Sequence, residues 1–315
     1  MKTKHRLLVV SRDAAVYDRL IKALALPDLI IDAVDSAEKA LAHAQDVSII
    51  LGEPKRIAPV IDLAPRLLWV QSTFAGVEAL IRPHARTEFI LSGVKDVFGP
   101  FMSEYVFSYL VAIERRAFDL YRNQQNRIWQ KISYKSLRDR LIGICGLGSI
   151  GRHLAHTANH FGLRVWGYKK NRGSVPEVER VFTGDNFRDF LSAPDYIVIT
   201  LPSTPATFHM FDDTAFAAMK ATALLINIGR GNVVLEPALI RALQKGEIGG
   251  AVLDVFEEEP LPQESPLWSL PNVFITPHIS GYSFPSDIVG IFAENYRRFL
   301  SGSPLLHQVD FKRGY

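Results

Sequence analysis

The chain has 315 residues, of which 48% are hydrophobic and 22% charged, with a formal net charge of +3. That length supports one large domain or two ordinary ones, each with its own core, and two is the expectation. The small cationic excess comes with no basic stripe and no reading module, so nucleic acid is excluded as the expected partner.

The apolar stretch after the basic start, "MKTKHRLLVV", stops at Ser11 and Arg12, too short for a signal core, and no later apolar run approaches a membrane span. A cytoplasmic protein with no membrane partner is expected. "RLLVVS", "LIIDAV", "VSIIL", "RLLWVQ" and "EFILS" are short runs rich in branched residues, separated by amphipathic stretches at 14–26 and 37–44. They predict a parallel α/β unit ending near Gly99. One long amphipathic helix is predicted over 100–126, bridging two lobes, with Phe107, Leu110, Val111 and Phe118 on one face.

A second alternating series follows: "RLIGICG", "LRVWGY", "DYIVITLP", "ATALLINIG", "GGAVLDVF" and "NVFITPH", with helices predicted at 150–161, 213–220 and 236–245. An amphipathic stretch at 286–300 is expected to pack back on the first lobe. The single cysteine, Cys145, excludes an internal disulfide and a multi-cysteine metal site, and within "LIGIC" it reads as a small core residue. No metal site is expected.

"GICGLGSIGRHLAHTA" places Gly146, Gly148 and Gly151 in a G-x-G-x-x-G spacing directly between a predicted strand and a predicted helix. The first glycine permits a tight turn, the second admits a pyrophosphate, and the third packs helix on strand. Amides near Ser149 and Ile150 would face the phosphates. A purely structural turn is the other reading of this pattern.

The following strand ends in "GYKKNR", where an acid would hydrogen-bond a ribose 2′-hydroxyl and a cation would bind a 2′-phosphate. Lys169, Lys170 and Arg172 stand there, with no carboxylate before Glu177, which favours NADP (NADPH) over NAD. A solvated basic loop that tolerates either cofactor is the alternative, so NAD stays open.

Three later segments leave predicted strands at the end where open α/β sheets bind ligands. "LLINIGRGNVV" supplies Arg230, "GGAVLDVFEEEPLP" supplies Asp254 and Glu259, and "VFITPHISGYS" supplies His278. These residue types suit redox chemistry on a 2-oxo acid. An arginine grips a carboxylate in two parallel bonds, a histidine passes a proton to the carbonyl oxygen, and a carboxylate orients that histidine. Singly, each has a bland reading: a surface cation, a solvated acidic turn, a satisfied core histidine.

Taken together with "AGVEAL", "SEYVFSYLVAIERR", "TLPSTPAT" and "ESPLW", these motifs make the chain resemble the D-2-hydroxyacid dehydrogenases from about Arg66 to Leu300. The resemblance implies an α/β fold of two Rossmann-like lobes. A flavodoxin-like substrate lobe, 1–99 with 280–315, would surround an inserted dinucleotide-binding lobe with a parallel sheet, 100–279, and a homodimer would form through the latter. It implies Arg230, Glu259 and His278 as catalytic residues. Leu201, Pro202, Thr207 and Ile228 would line the cofactor, and Asp254 would lie near the nicotinamide. Amides around Ala75 and Gly76 would join Arg230 and His278 in holding a small 2-oxo or 2-hydroxy acid.

Within the family, the basic loop and "ESPLW" look most like the NADPH-dependent glyoxylate/hydroxypyruvate reductases. Some of those reductases place a tryptophan near the substrate, sometimes from the partner subunit, where Trp129 stands; an anchoring core tryptophan is the other reading. Phe74 and Glu78 depart from the smaller residue and the aspartate common in relatives. A dinucleotide-sensing scaffold of the same fold is the rival from another class, disfavoured by the short tail after the last helix. Formate dehydrogenase is disfavoured by the His278 and Glu259 pair.

Overall fold

The structure, a computed structural model, describes residues 4–81 and 86–311, so the end of the tail at 312–315 lies outside it. The chain divides into two compact units, Met1–Val97 with Ser283–Tyr315, and Phe98–Tyr282. No helix among the described residues is long and apolar enough to cross a membrane.

The first unit alternates β1 (His5–Val10), α1 (Ala14–Ala23), β2 (Leu29–Val34), α2 (Ala37–Leu41), β3 (Ile49–Gly52), α3 (Pro54–Ile61), β4 (Trp69–Ser72) and β5 (Ile90–Ser92). The five strands are parallel in the order β2-β1-β3-β4-β5, the flavodoxin-like winding. Every residue of β3 and β4 is buried, so neither run alternates: β3 reads as a continuous apolar stretch, and β4 ends in the buried polar pair Gln71 and Ser72.

The second unit holds α4 (Phe98–Glu114), α5 (Ala117–Gln125), β6 (Leu141–Cys145), α6 (Ser149–His160), β7 (Arg164–Tyr168), β8 (Arg180–Phe182), α7 (Phe187–Leu191), β9 (Tyr196–Ile199), α8 (Asp213–Ala217), β10 (Leu224–Asn227), α9 (Glu236–Lys245), β11 (Gly250–Leu253) and β12 (Val273–Ile275). Its seven-stranded sheet runs β12-β11-β10-β9-β6-β7-β8, parallel throughout. The winding reverses between β6 and β9, the topological position at which Rossmann sheets take their ligand. Phe190, Phe211 and Phe216 fill the core on one face. The α/β class and the two parallel sheets agree with the expectation from the sequence.

Back in the first unit, α10 (Pro285–Ser301) lays Phe292 on the buried Trp69, ring centroids 5.2 Å apart. A buried polar chain ties the same elements: Trp69 Nε1 donates to Ser92 Oγ, Ser92 Oγ to Gln71 Oε1, and Asn295 Nδ2 to Gln71 Oε1. Each member finds a partner, so the polar core orders the unit instead of penalising it.

Three local expectations are corrected. The single helix predicted over 100–126 is two, α4 and α5, because Arg116 turns left-handed at φ 57° and pairs with Asp119. The apolar face therefore does not continue across the break. Phe107 and Leu110 are buried, Val111 and Phe118 are exposed, and α5 buries no residue. Trp129 is wholly exposed, which removes the core reading of that side chain. The edge strand β8 is only three residues long, too short for its pattern to stand out in the sequence.

Candidate active site

The turn after β6 is built on three glycines with different jobs. Gly146 has φ +101°, and a Cβ there would lie 2.7 Å from Thr200 Oγ1, so the turn itself demands glycine. A Cβ on Gly151 would come within 1.9 Å of the Gly146 carbonyl oxygen, so helix packing demands the third. Gly148 is different: its φ is −73°, and a Cβ would meet nothing within 4 Å. Neither strain nor crowding within the protein requires glycine at 148, which leaves an open approach to the backbone at the start of α6.

No side chain caps that start, and α6 is long enough to present the usual unpaired amides, here of Ser149 and Ile150. The residues present therefore fit a dinucleotide pyrophosphate. Arg152 keeps its Nε on the Leu147 carbonyl at 3.2 Å, bracing the loop from the protein side.

Beside this turn lies the basic loop. The Gly146 amide donates to the Tyr168 carbonyl at 2.9 Å, so residues 169–172 leave β7 directly alongside the glycine turn. Lys170 and Arg172 are exposed, Lys169 is half-buried, and none of the three forms an ion pair among the described residues. Cations placed at this spot without a protein partner suit a phosphate.

The "LPSTPAT" stretch forms a tight turn after β9. Thr207 Oγ1 donates to the Pro202 carbonyl at 2.6 Å and accepts from the Thr204 amide at 2.9 Å, so its hydroxyl shapes the turn. Leu201 and Ile228 are buried, and Pro202 is exposed.

Arg230, Glu259 and His278 lie on segments that follow β10, β11 and β12, neighbouring strands of the same sheet. Arg230 follows β10; its carbonyl accepts from Asn227 Nδ2 at 3.1 Å and its Nη1 reaches the Gly229 carbonyl at 2.7 Å. Next to it Gly231 lies so close to the Phe256 backbone that a Cβ would come within 1.9 Å. That contact packs the arginine segment against the loop carrying Glu259, whose Oε1 accepts the Phe256 amide at 3.2 Å. Glu259 Oε2 stands 2.8 Å from His278 Nδ1. A carboxylate only accepts, so Nδ1 bears the hydrogen and Nε2 is left for a ligand. The ring is about half exposed, which removes the core-histidine reading.

Asp254 is placed otherwise than a direct ligand contact needs. Its side chain is wholly buried, with Oδ1 accepting from Thr276 Oγ1 and the Ile279 amide and Oδ2 from the Ser280 amide. It braces the His278 loop from behind. Ala75 and Gly76 belong to the first unit, on the turn after β4, where Ser72 Oγ bonds both the amide and the carbonyl of the exposed Phe74. Thr276 and Tyr105, whose hydroxyls meet at 2.6 Å, were not singled out by sequence reasoning; they stand 171 residues apart, and only the fold joins them.

A glycine turn at the sheet's switch point and an arginine, a histidine and a glutamate at its far strands define an NAD(P)-dependent oxidoreductase. Residues 107–280 match the family described as D-isomer specific 2-hydroxyacid dehydrogenase, NAD binding domain. The chain is 33% identical over 298 residues, 90% of its length and 95% of the relative's, to glyoxylate/hydroxypyruvate reductase A of Salmonella heidelberg strain SL476. Among solved structures it is similar to a D-isomer specific 2-hydroxyacid dehydrogenase family protein from Aeromonas salmonicida, with 42% identity, TM-score 0.95 and coverage of 98% of this chain and 100% of the other. It is also similar, at 27% identity and TM-score 0.86 over 99% of this chain and 100% of the other, to an NADPH-dependent glyoxylate/hydroxypyruvate reductase from Sinorhizobium meliloti in complex with NADP and sulfate. The chain belongs to the D-isomer specific 2-hydroxyacid dehydrogenase family, whose members act on small 2-hydroxy and 2-oxo acids.

Proposed function

We propose that the protein reduces a small 2-oxo acid of the glyoxylate or hydroxypyruvate kind to its D-2-hydroxy acid with NADPH. The observation that carries the cofactor choice is the trio Lys169, Lys170 and Arg172, set beside the glycine turn with no acid among them. The relatives named as NADPH-dependent or as glyoxylate/hydroxypyruvate reductases support the same reading.

NADPH, when bound, supplies the hydride that reaches C2 of the acid. Arg230 holds the substrate carboxylate and draws electron density from the neighbouring carbonyl. His278 Nε2 gives its proton to the carbonyl oxygen, and Glu259 keeps the ring aligned through Nδ1. Asp254 sets the backbone from which His278 projects. Ala75 and Gly76, on the unit formed by both chain ends, offer amides to the carboxylate in this reading. The other unit, 100–279 in the sequence reading, carries the dinucleotide.

The wholly exposed Trp129, with the exposed Ile128 beside it, supports a second copy of the chain covering that segment in a cytoplasmic homodimer. The test is the initial rate of NADPH and NADH oxidation, measured side by side with glyoxylate, hydroxypyruvate, pyruvate and phenylpyruvate. Fast turnover of the small acids with NADPH is expected. A preference for NADH would overturn the cofactor assignment, and turnover confined to phenylpyruvate would overturn the substrate class.

A further inference from the structure

The backbone of His278 is in a conformation that histidine does not choose by itself. Its φ is 54°, in the left-handed region where a Cβ crowds the following carbonyl. Such a residue persists only where its surroundings over-determine it.

Asp254 supplies most of that constraint. Its main-chain carbonyl accepts the His278 amide at 2.9 Å, and its carboxylate takes the next two amides, of Ile279 and Ser280, at 2.8 and 2.9 Å. The fourth bond comes from the other side of His278, from Thr276 Oγ1 to Asp254 Oδ1 at 2.5 Å. A hydroxyl has one proton, and the carboxylate can only accept. Thr276 has therefore spent its hydrogen, and the 2.6 Å contact between Thr276 and Tyr105 has one allowed direction: the Tyr105 hydroxyl donates.

Tyr105 sits on α4, a helix of 17 residues that packs inside the same unit, and its ring lies against Tyr109, itself tilted against Phe274 at 5.8 Å. It is a rigid donor. Burial, the largest influence on it, pushes the phenol well above its ordinary value, so the donating proton is retained throughout the working range of pH. The donors thus converge on the Asp254 carboxylate: Tyr105 gives to Thr276 and Thr276 to Asp254 from the side of α4, and the amides of Ile279 and Ser280 give to it from the loop that carries the acid.

We propose that Tyr105 is a positioning residue for His278: through Thr276 and Asp254 it holds the left-handed loop from which His278 Nδ1 reaches Glu259. This rests on the reading of His278 as the proton donor. Removing the Tyr105 hydroxyl leaves a phenylalanine of the same shape, so the fold keeps its packing and the effect falls on the loop.

Four variants test it: Tyr105→Phe, Thr276→Val, Thr276→Ser and the double Tyr105→Phe/Thr276→Val. Tyr105→Phe is expected to lower kcat about tenfold, as slight misplacement of a catalytic group does, with KM for the 2-oxo acid and the NADPH Kd within about twofold of wild type. Thr276→Val is expected to match it, Thr276→Ser to restore wild-type kcat, and the double variant to be no worse than Thr276→Val, as two links of one chain require. Hydrogen–deuterium exchange gives a readout independent of turnover: the amides of residues 278–280 should exchange about tenfold faster in Tyr105→Phe and at the wild-type rate in Thr276→Ser.

Unchanged exchange at 278–280 in Tyr105→Phe would overturn the inference, and so would additive kcat losses or equal losses in kcat and NADPH binding. Should the wild type reduce no 2-oxo acid with either cofactor, the proposed function falls, while the exchange experiment still decides whether Tyr105 holds the loop.

Discussion

Replacing Gly148 by alanine separates folding from cofactor binding within one motif. In the folded chain the new methyl meets nothing within 4 Å, and φ −73° is ordinary for alanine. Losing glycine's freedom in the unfolded chain stabilises by about 0.4–1 kcal/mol, whereas alanine is a poorer helix cap than glycine by a similar amount. The two offset, so the melting temperature should stay within roughly 2 °C of wild type. The methyl would, however, stand where the pyrophosphate must approach the Ser149 and Ile150 amides. Loss of one charge-assisted hydrogen bond, about 1.5–3 kcal/mol, corresponds to a roughly 10- to 150-fold weaker NADPH Kd.

Gly146→Ala and Gly151→Ala are the controls. The first forces alanine to φ +101° and the second drives a methyl to 1.9 Å from the Gly146 carbonyl oxygen, so both should melt several degrees lower. The assay is a thermal melt paired with a fluorescence titration of NADPH for each variant. If Gly148→Ala binds NADPH as tightly as wild type, the open approach at Gly148 is not where the pyrophosphate lies. If it melts as low as Gly151→Ala, the space at 148 is not open.

Other expectations follow from the same geometry. Lys170→Asp combined with Arg172→Asp should weaken NADPH relative to NADH by at least about tenfold in kcat/KM, and an unchanged ratio would show that the loop is only a solvated basic turn. His278→Ala should lower kcat by about 10²–10⁴-fold while the NADPH Kd holds, and equal losses in both would make that histidine structural. For Asp195, burial alone would raise the carboxyl, but bonds from the Leu141 amide and Lys220, with Arg140 near, outweigh it and hold it below its ordinary 3.8. A depressed carboxylate contributes stability above that value and loses it as pH falls through the folded one. Asp195→Asn should thus be less stable by about 1–2 kcal/mol at pH 7, discounted for its half-exposed partners, and denaturant titrations should show the gap closing below about pH 4. A gap that does not shrink at all as pH falls below 3.8 would contradict the assignment.

Much of the fold was legible because its signals are local. A parallel strand buried on both faces writes itself as a continuous branched run, and a helix writes itself as a 3.6-residue period, so both sheets could be read along the chain. The glycine turn was legible for the same reason, since strand, turn and helix are consecutive there. The break at Arg116 was not: the apolar period runs straight through it, and one residue entering the left-handed region decides the matter. The edge strand β8 was hidden by its length.

At the candidate site the division is sharper. The sequence by itself determined which residue types stand at the strand ends, including Arg230, Glu259, His278 and the cations of the 169–172 loop, because a strand's end is a local property. Only the tertiary structure decided which of them meet. Glu259 and His278 reach 2.8 Å across a gap of 19 residues, and Tyr105 meets Thr276 across 171, because parallel β10, β11 and β12 bring their ends side by side and α4 packs within the same unit. The structure also turned Asp254 inward. Its acidic character is plain in the sequence, but its burial and its three donors depend on where the chain returns 22 to 26 residues later. A hydrogen bond between distant residues leaves no periodic trace along the chain, so the order of the site was settled by packing.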